Sequence, residues 1–91
     1  MSKRLVLKRG FQLTARHLAP PGSPAGRKVA AYVGALLAGQ AEPSEERTAP
    51  LPPVGVCTVR RVPGFALGIW YIEGEDFIAL YALKRWGGWG G

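Results

Sequence analysis

Residues 68–86 read GIWYIEGEDFIALYALKRW, and this stretch decides the fold. Two runs of apolar and aromatic residues flank the polar segment 73–76, which is the sequence pattern of a β-hairpin. Almost every position in both runs is apolar, so both faces of the hairpin are apolar too. Strands with two apolar faces lie in the middle of a sheet. We therefore expect two central strands here.

The turn of this hairpin sets which residues oppose each other. With Gly74 and Glu75 as the central pair, a glycine-first loop of two residues favours a type II′ turn. The opposing pairs are then Ile72 with Phe77, Trp70 with Ala79, and Ile69 with Leu80. One face carries Leu67, Ile69, Tyr71, Ile78, Leu80 and Ala82, and the other carries Trp70, Ile72, Phe77, Ala79, Tyr81 and Leu83.

The chain before the hairpin predicts two further strands and two helices. Residues 4–8 form a short β-rich run with cationic ends, and residues 54–62 alternate weakly up to a Pro-Gly turn. Apolar residues recur at helical spacing in residues 11–18 and again in residues 23–39, which open with a Ser-Pro cap and end in glycine. The predicted fold class is α+β, in the order β-α-α-β-β-β, with an antiparallel sheet and both helices packed on one face.

Domain organisation follows from length and composition. A chain of 91 residues has room for one domain, which we expect to span residues 1–91. Residues 40–53 are rich in Pro, Glu, Ser and Thr and show no helical or strand period, so they predict a mobile surface loop. Residues 86–91 predict a Gly/Trp-rich tail.

The charge balance predicts an anionic partner. The chain has 12 Lys and Arg against 6 Asp and Glu, which gives a formal net charge of +6. The acids are confined to residues 42–46 and 73–76, so the rest of the chain is almost purely cationic. This balance is typical of proteins that bind nucleic acid, an acidic protein or an anionic membrane.

Other classes are excluded by the same composition. The single Cys57 rules out an internal disulfide, and one Cys with one His cannot supply the ligands of a structural zinc site. No apolar run approaches the roughly 18 residues that span a bilayer, and the N-terminus lacks a secretory signal pattern. We expect a cytoplasmic protein without a membrane partner.

Four stretches carry a family resemblance that spans nearly the whole chain. They are LVLKRGFQLTARHL (5–18), VAAYVGALLAG (29–39), VRRVPG (59–64) and WYIEGEDFIALYALKR (70–85). Their order, a basic first strand, a helix pair, and a C-terminal hairpin ending in paired cations, resembles the RelE/ParE superfamily of toxins from type II toxin–antitoxin systems, including its phage-derived HigB-like branch.

The resemblance implies a metal-independent endoribonuclease without a cofactor. In the ribonuclease members a cationic groove orients the RNA phosphate, while basic and aromatic groups promote attack by the 2′-hydroxyl. An acidic antitoxin protein would neutralise the toxin, and RNA, free or on the ribosome, would be its target. By position, we expect catalytic residues at Arg61, Tyr81, Lys84 and Arg85, and nucleic-acid-binding residues at Lys8, Arg9, Arg60, Arg61 and Trp86.

One departure from the family pattern leaves the ribonuclease activity undecided. The ribonucleases commonly carry an arginine near the start of the penultimate strand, but that position falls here on Ala66, Leu67 or Gly68, and no cation lies between Arg61 and Lys84. Loss of such a group costs orders of magnitude in rate. The alternatives are inhibition of another target, as ParE-like members inhibit DNA gyrase, and a non-enzymatic basic module, such as a phage-derived regulator, that binds nucleic acid or an acidic protein.

Overall fold

The computed structural model describes residues 3–87, which form two helices and one five-stranded sheet. The helices follow the first strand, and four strands complete the chain. The elements in chain order are β1 (Arg4–Leu7), α1 (Arg9–Leu18), α2 (Pro24–Leu37), β2 (Glu46–Leu51), β3 (Gly55–Arg61), β4 (Leu67–Glu73) and β5 (Phe77–Arg85).

The strands lie in the order β1-β5-β4-β3-β2. The α+β class is confirmed, and so are the antiparallel meander of β3, β4 and β5 and the central position of the hairpin strands. The predicted sheet is wrong in two respects. The observed sheet has an additional strand, β2, and its strand β1 pairs with β5 in parallel. A parallel pair needs a long connection between its strands, and the helices and meander between β1 and β5 provide it.

The hairpin turn lies one residue later than the predicted one. The backbone N–H of Gly74 donates to the carbonyl oxygen of Phe77 at 2.9 Å, so Glu75 and Asp76 form the loop. The register pairs Ile72 with Ala79 instead of Phe77. A Cβ at Gly74 would lie 2.0 Å from the ring of Phe77. A larger residue here would push the ring of Phe77 aside, and the predicted role of Gly74, as the first residue of the turn, was wrong.

A β-bulge changes which side chains share a face near the end of the hairpin. Tyr71 pairs with Leu80 but Trp70 pairs with Ala82, so Tyr81 is an extra residue in β5. The predicted faces of Ala82 and Leu83 are consequently exchanged: Ala82 shares the face of Trp70, and Leu83 belongs to the core beneath the helices.

Each face of the sheet has its own apolar cluster. The main core lies between the sheet and the helices and includes Phe11, Tyr32, Val33, Leu36, Val62, Ile69, Tyr71, Ile78, Leu80 and Leu83. We call the opposite surface of the sheet the open face. Its buried residues are Ala49, Cys57, Val59, Trp70 and Ala82, with Leu51, Ile72 and Trp86 packed around them.

The segment predicted as a mobile loop contains β2. Residues 46–51 pair along their length with β3, so the loop prediction for residues 40–53 is corrected there. The prolines that favoured a loop are compatible with this strand because β2 lies at the edge of the sheet, where an outward position of Pro50 needs no N–H donor.

The predicted C-terminal tail begins with an ordered residue. The backbone N–H of Trp86 donates to the carbonyl oxygen of Ala66 at 2.9 Å, and its side chain packs against the open-face cluster. Residues 88–91 of the predicted tail lie outside the described residues.

A side-chain hydrogen bond fastens α1 to β5. The hydroxyl of Thr14 donates to the carbonyl oxygen of Gly10 at 2.7 Å and accepts from the backbone N–H of Leu83 at 2.8 Å. The pairing of β1 with β5 ends at Leu80, so α1 supplies the acceptor for the next part of β5. This contact sets the position of the strand end that carries Lys84.

Candidate nucleic-acid interface

The open face brings residues from four strands into one row. Arg47 of β2 pairs with Val59 of β3, Val59 pairs with Trp70 of β4, and Trp70 pairs with Ala82 of β5. Residues opposite each other in a sheet share a face. Arg47 therefore belongs to the same surface as Trp70.

Lys84 covers the centre of this surface. Its register partner is Gly68, and its Nζ lies 4.2 Å from the centroid of the Trp70 ring. Trp70 is only 5% exposed, so a ligand on the open face would meet the ammonium of Lys84 before the indole beneath it. A cation over an indole face is attracted by the ring and keeps its positive charge.

A second cation lies over the second indole of the face. The guanidinium carbon of Arg47 is 5.0 Å from the centroid of the Trp86 ring. Arg47 is exposed and Trp86 is half-buried, so this pair lies at the surface. The open face thus presents two cation–aromatic pairs, one centred on Trp70 and one on Trp86.

Lys8 and Tyr81 add a third pair at the β1 side of the sheet. The Nζ of Lys8 lies 5.7 Å from the centroid of the Tyr81 ring. Tyr81 is the bulged residue of β5, and Lys8 is held where β1 ends by a hydrogen bond from its backbone N–H to the carbonyl oxygen of Leu80 at 3.0 Å. Both residues were expected in the site.

Arg60 is directed away from this surface. It pairs with Ile69, which belongs to the core on the helix side. Its guanidinium donates to the hydroxyl of Tyr32 and to the carboxylate of Glu46, each at 2.6 Å. Burial lowers the pKa of Arg60, but hydrogen bonds to Tyr32 and Tyr71 raise it above its ordinary value overall. Arg60 joins α2 to the sheet, and the structure does not bring it to the expected nucleic-acid site.

Arg61 points to the open face, as strand alternation requires, but its side chain is already hydrogen-bonded within the protein. It pairs with Gly68, and its guanidinium donates to the carboxylate of Glu45 at 2.9 Å and to the carbonyl oxygen of Phe65 at 3.1 Å. These contacts fix the turn between β3 and β4. A ligand would have to compete with Glu45 for this side chain.

The remaining two expected residues are Arg85 and Arg9. Arg85 pairs with Leu67 on the helix side and lines a groove between α1 and the end of β5, together with Leu13, His17 and Lys84. Arg9 is the exposed first residue of α1. The structure therefore separates the predicted site into Lys8, Arg61, Tyr81, Lys84 and Trp86, which are on or next to the open face, and Arg9, Arg60 and Arg85, which are not.

Sequence reasoning missed Arg47 and Trp70. Arg47 was overlooked because its segment was interpreted as a loop; the signal was the alternation of Arg47, Ala49 and Leu51, which places all three on one face of a strand. Trp70 was predicted as a strand residue, but its role under Lys84 depends on the register.

The chemistry available on the open face is electrostatic. Burial raises the pKa of the Cys57 thiol above its ordinary value, while a backbone hydrogen bond and the charge of Lys84 lower it in part, so this thiol is held in the protonated form. Within residues 3–87, no group of three or more His, Cys, Asp or Glu side chains is arranged to hold a metal ion. The arrangement can bind and orient an anion.

Comparisons with known proteins identify no relative of this chain. No protein-family model matches the chain, and neither a curated protein nor a solved structure matches it significantly. Among the helices of residues 3–87, neither has the length and apolar character needed to cross a membrane.

Proposed function

We propose that this chain binds single-stranded RNA on its open face and is an RNA-directed toxin of the RelE/ParE type that acts in the cytoplasm. The observation that carries the proposal is the placement of Lys84 and Arg47 over the indoles of Trp70 and Trp86 on one sheet surface. Proteins that bind single strands combine cationic side chains, which track the backbone, with aromatic rings, on which bases stack.

The distribution of the acids supports this surface as the binding face. Among the described residues, carboxylates hold Lys3, Lys28, Arg60 and Arg61. Lys8, Arg47 and Lys84 instead lie over aromatic rings. A phosphate chain that approaches the open face meets the positive charges of these side chains at the rings that they cover.

Cleavage would use the residues next to this face. Lys84 stabilises the negative charge that develops on the phosphate as the 2′-oxygen bonds to phosphorus and the bond to the 5′-oxygen breaks. The hydroxyl of Tyr81, whose ring lies 5.7 Å from the Nζ of Lys8, donates a proton to the leaving 5′-oxygen, and the proton of the 2′-hydroxyl passes to water. This reaction needs no metal. An acidic antitoxin would neutralise the toxin by binding its cationic surface.

A second function, RNA binding without cleavage, is favoured by a specific observation. The arginines of the basic strand, Arg60 and Arg61, are bound to Glu46 and Glu45. In addition, the position at which the ribonucleases commonly have an arginine falls on Ala66, Leu67 or Gly68, none of which is a cation. A module of this kind would act by occupying RNA, and the cations around the scissile phosphate would be too few for rapid cleavage.

The test of binding uses a fluorescent 12-nucleotide uridine RNA and fluorescence anisotropy at several salt concentrations. We expect affinity to fall linearly with salt on logarithmic axes, and Lys84→Ala to reduce that slope by about 0.7, the value for one lost phosphate contact on a single strand. Arg27→Ala is the matched control, because Arg27 is exposed on α2 and carries the same charge. Binding that ignores ionic strength, or equal slopes for the two variants, would overturn the proposal.

Cleavage is measured separately on the same RNA and on a mixed-sequence RNA in the presence of a chelator. Products that depend on Tyr81 and Lys84 support the toxin, as does growth arrest on induced expression. Intact RNA, together with normal growth at high expression, would rule out the toxin and support the non-enzymatic RNA-binding module.

A further inference from the structure

Trp86 occupies the space above Gly68. A Cβ at position 68 would lie 3.1 Å from a ring carbon of Trp86 and 3.0 Å from Cγ1 of Val59. Val59 is fully buried although it lies on the open face, because it is part of the cluster that includes Trp86. The indole of Trp86 therefore packs directly over Gly68 of β4.

Arg47 reaches this indole from the opposite edge of the sheet. It belongs to β2, and Val59 of β3 separates it from β4 in the register. The guanidinium of Arg47 nevertheless lies 5.0 Å from the Trp86 ring centroid. The side chain of Arg47, from the edge strand β2, and that of Trp86, which follows β5, thus meet on the open face.

We propose that Arg47 and Trp86 form a stacking subsite for one unpaired base of a single-stranded RNA, with Lys84 bound to an adjacent phosphate. This inference rests on the proposed function and specifies its substrate, which must offer an unstacked base. Bases of single-stranded RNA stack on aromatic rings and on the planes of Arg guanidinium groups, and both kinds of surface occur here. A base in a duplex is already stacked, so a duplex does not fit this subsite.

The subsite also accounts for glycine at position 68. Trp86 packs closely over this glycine, and the cation beside the indole comes from β2 in the form of Arg47. A methyl group at position 68 would crowd both Val59 and Trp86, so one of them would have to shift.

The experiment compares a 12-nucleotide uridine RNA with an abasic ribose-phosphate chain of the same length. We expect the wild-type protein to prefer the uridine RNA about tenfold, which is within the range for stacking of one base. Trp86→Ala and Arg47→Ala should remove most of this preference. Lys84→Ala should weaken binding to both ligands equally, and Arg27→Ala should change neither the preference nor the affinity by more than about twofold.

Two further variants separate stacking from charge and from folding. Arg47→Lys keeps the charge, so the salt slope should stay at the wild-type value while the preference for uridine falls. Trp86→Phe keeps a ring and should retain part of the preference. Thermal unfolding of each variant identifies any loss that is due to the fold.

The outcomes distinguish this inference from the proposed function. If the wild-type protein binds neither ligand, RNA binding itself is wrong. If it binds both ligands equally, or if Arg47→Ala and folded Trp86→Phe keep the full preference for uridine, the stacking subsite is wrong and RNA binding stands. The same holds if a duplex RNA binds as tightly as the single strand.

Discussion

At the scale of single residues, Gly68 decides what the open face carries. It lies between Val59 and Trp86, and it is buried although it has no side chain of its own. With glycine at this position, the indole of Trp86 packs against the apolar cluster of the open face.

Replacement of Gly68 tests this packing. In Gly68→Ala the new methyl group would meet Val59 at 3.0 Å and Trp86 at 3.1 Å. Because Val59 is fully buried and cannot move easily, we expect Trp86 to be displaced and the free energy of unfolding to fall by about 1–3 kcal/mol. Urea unfolding measures the loss.

The matched control is Gly34→Ala. Gly34 is an exposed residue within α2, and a Cβ there meets no atom within 4 Å. We expect this variant to be as stable as the wild type or more stable, by up to about 1 kcal/mol, because alanine favours a helix. An unchanged unfolding midpoint for Gly68→Ala would show that Trp86 does not rest on this glycine.

At the scale of elements, the end of β5 depends on α1. The strand loses its β1 neighbour after Leu80, and the bulge at Tyr81 turns Leu83 towards the helices. Thr14 then accepts the hydrogen bond of the Leu83 N–H that β1 no longer reaches. The helix therefore takes over from the strand in holding the segment that presents Lys84.

Removal of the Thr14 hydroxyl tests this contact. Thr14→Val keeps the shape of the side chain but leaves the partly buried N–H of Leu83 without its acceptor. An unsatisfied donor of this kind costs about 1–3 kcal/mol. We expect a corresponding fall in the free energy of unfolding, and faster hydrogen exchange at Leu83. Thr14→Ser retains the hydroxyl and should lose much less; equal losses in the two variants would contradict the role of the hydrogen bond.

The sequence predicted the elements better than it predicted their contacts. Apolar periodicity identified both helices and the hairpin, and the Ser23 cap is confirmed by a hydrogen bond from the backbone N–H of Gly26 to its side chain at 2.9 Å. The bulge at Tyr81 could not be predicted because strand alternation alone gives no signal for an extra residue. The strand containing Arg47 was obscured by prolines that only an edge strand tolerates.

At the scale of the whole molecule, several cations are held by carboxylates and others lie over aromatic rings. Carboxylates in residues 42–46 and at the hairpin tip hold Lys28, Arg60, Arg61 and Lys3. Those pairs fasten the α2–β2 connection and the termini of strands. The cations of the open face lie over aromatic rings and contribute to the surface potential there. The cations of the open face therefore make it a surface at which an anionic ligand can bind.

The most direct test of the central claim is a two-dimensional NMR titration of isotopically labelled protein with the 12-nucleotide uridine RNA. We predict that the largest changes occur at the indole N–H signals of Trp70 and Trp86 and at the backbone amides of Arg47 and Lys84, while the exposed side of α2 around Arg27 is unchanged. Changes concentrated on α1 and α2, with the signals of the open face unmoved, would contradict the account.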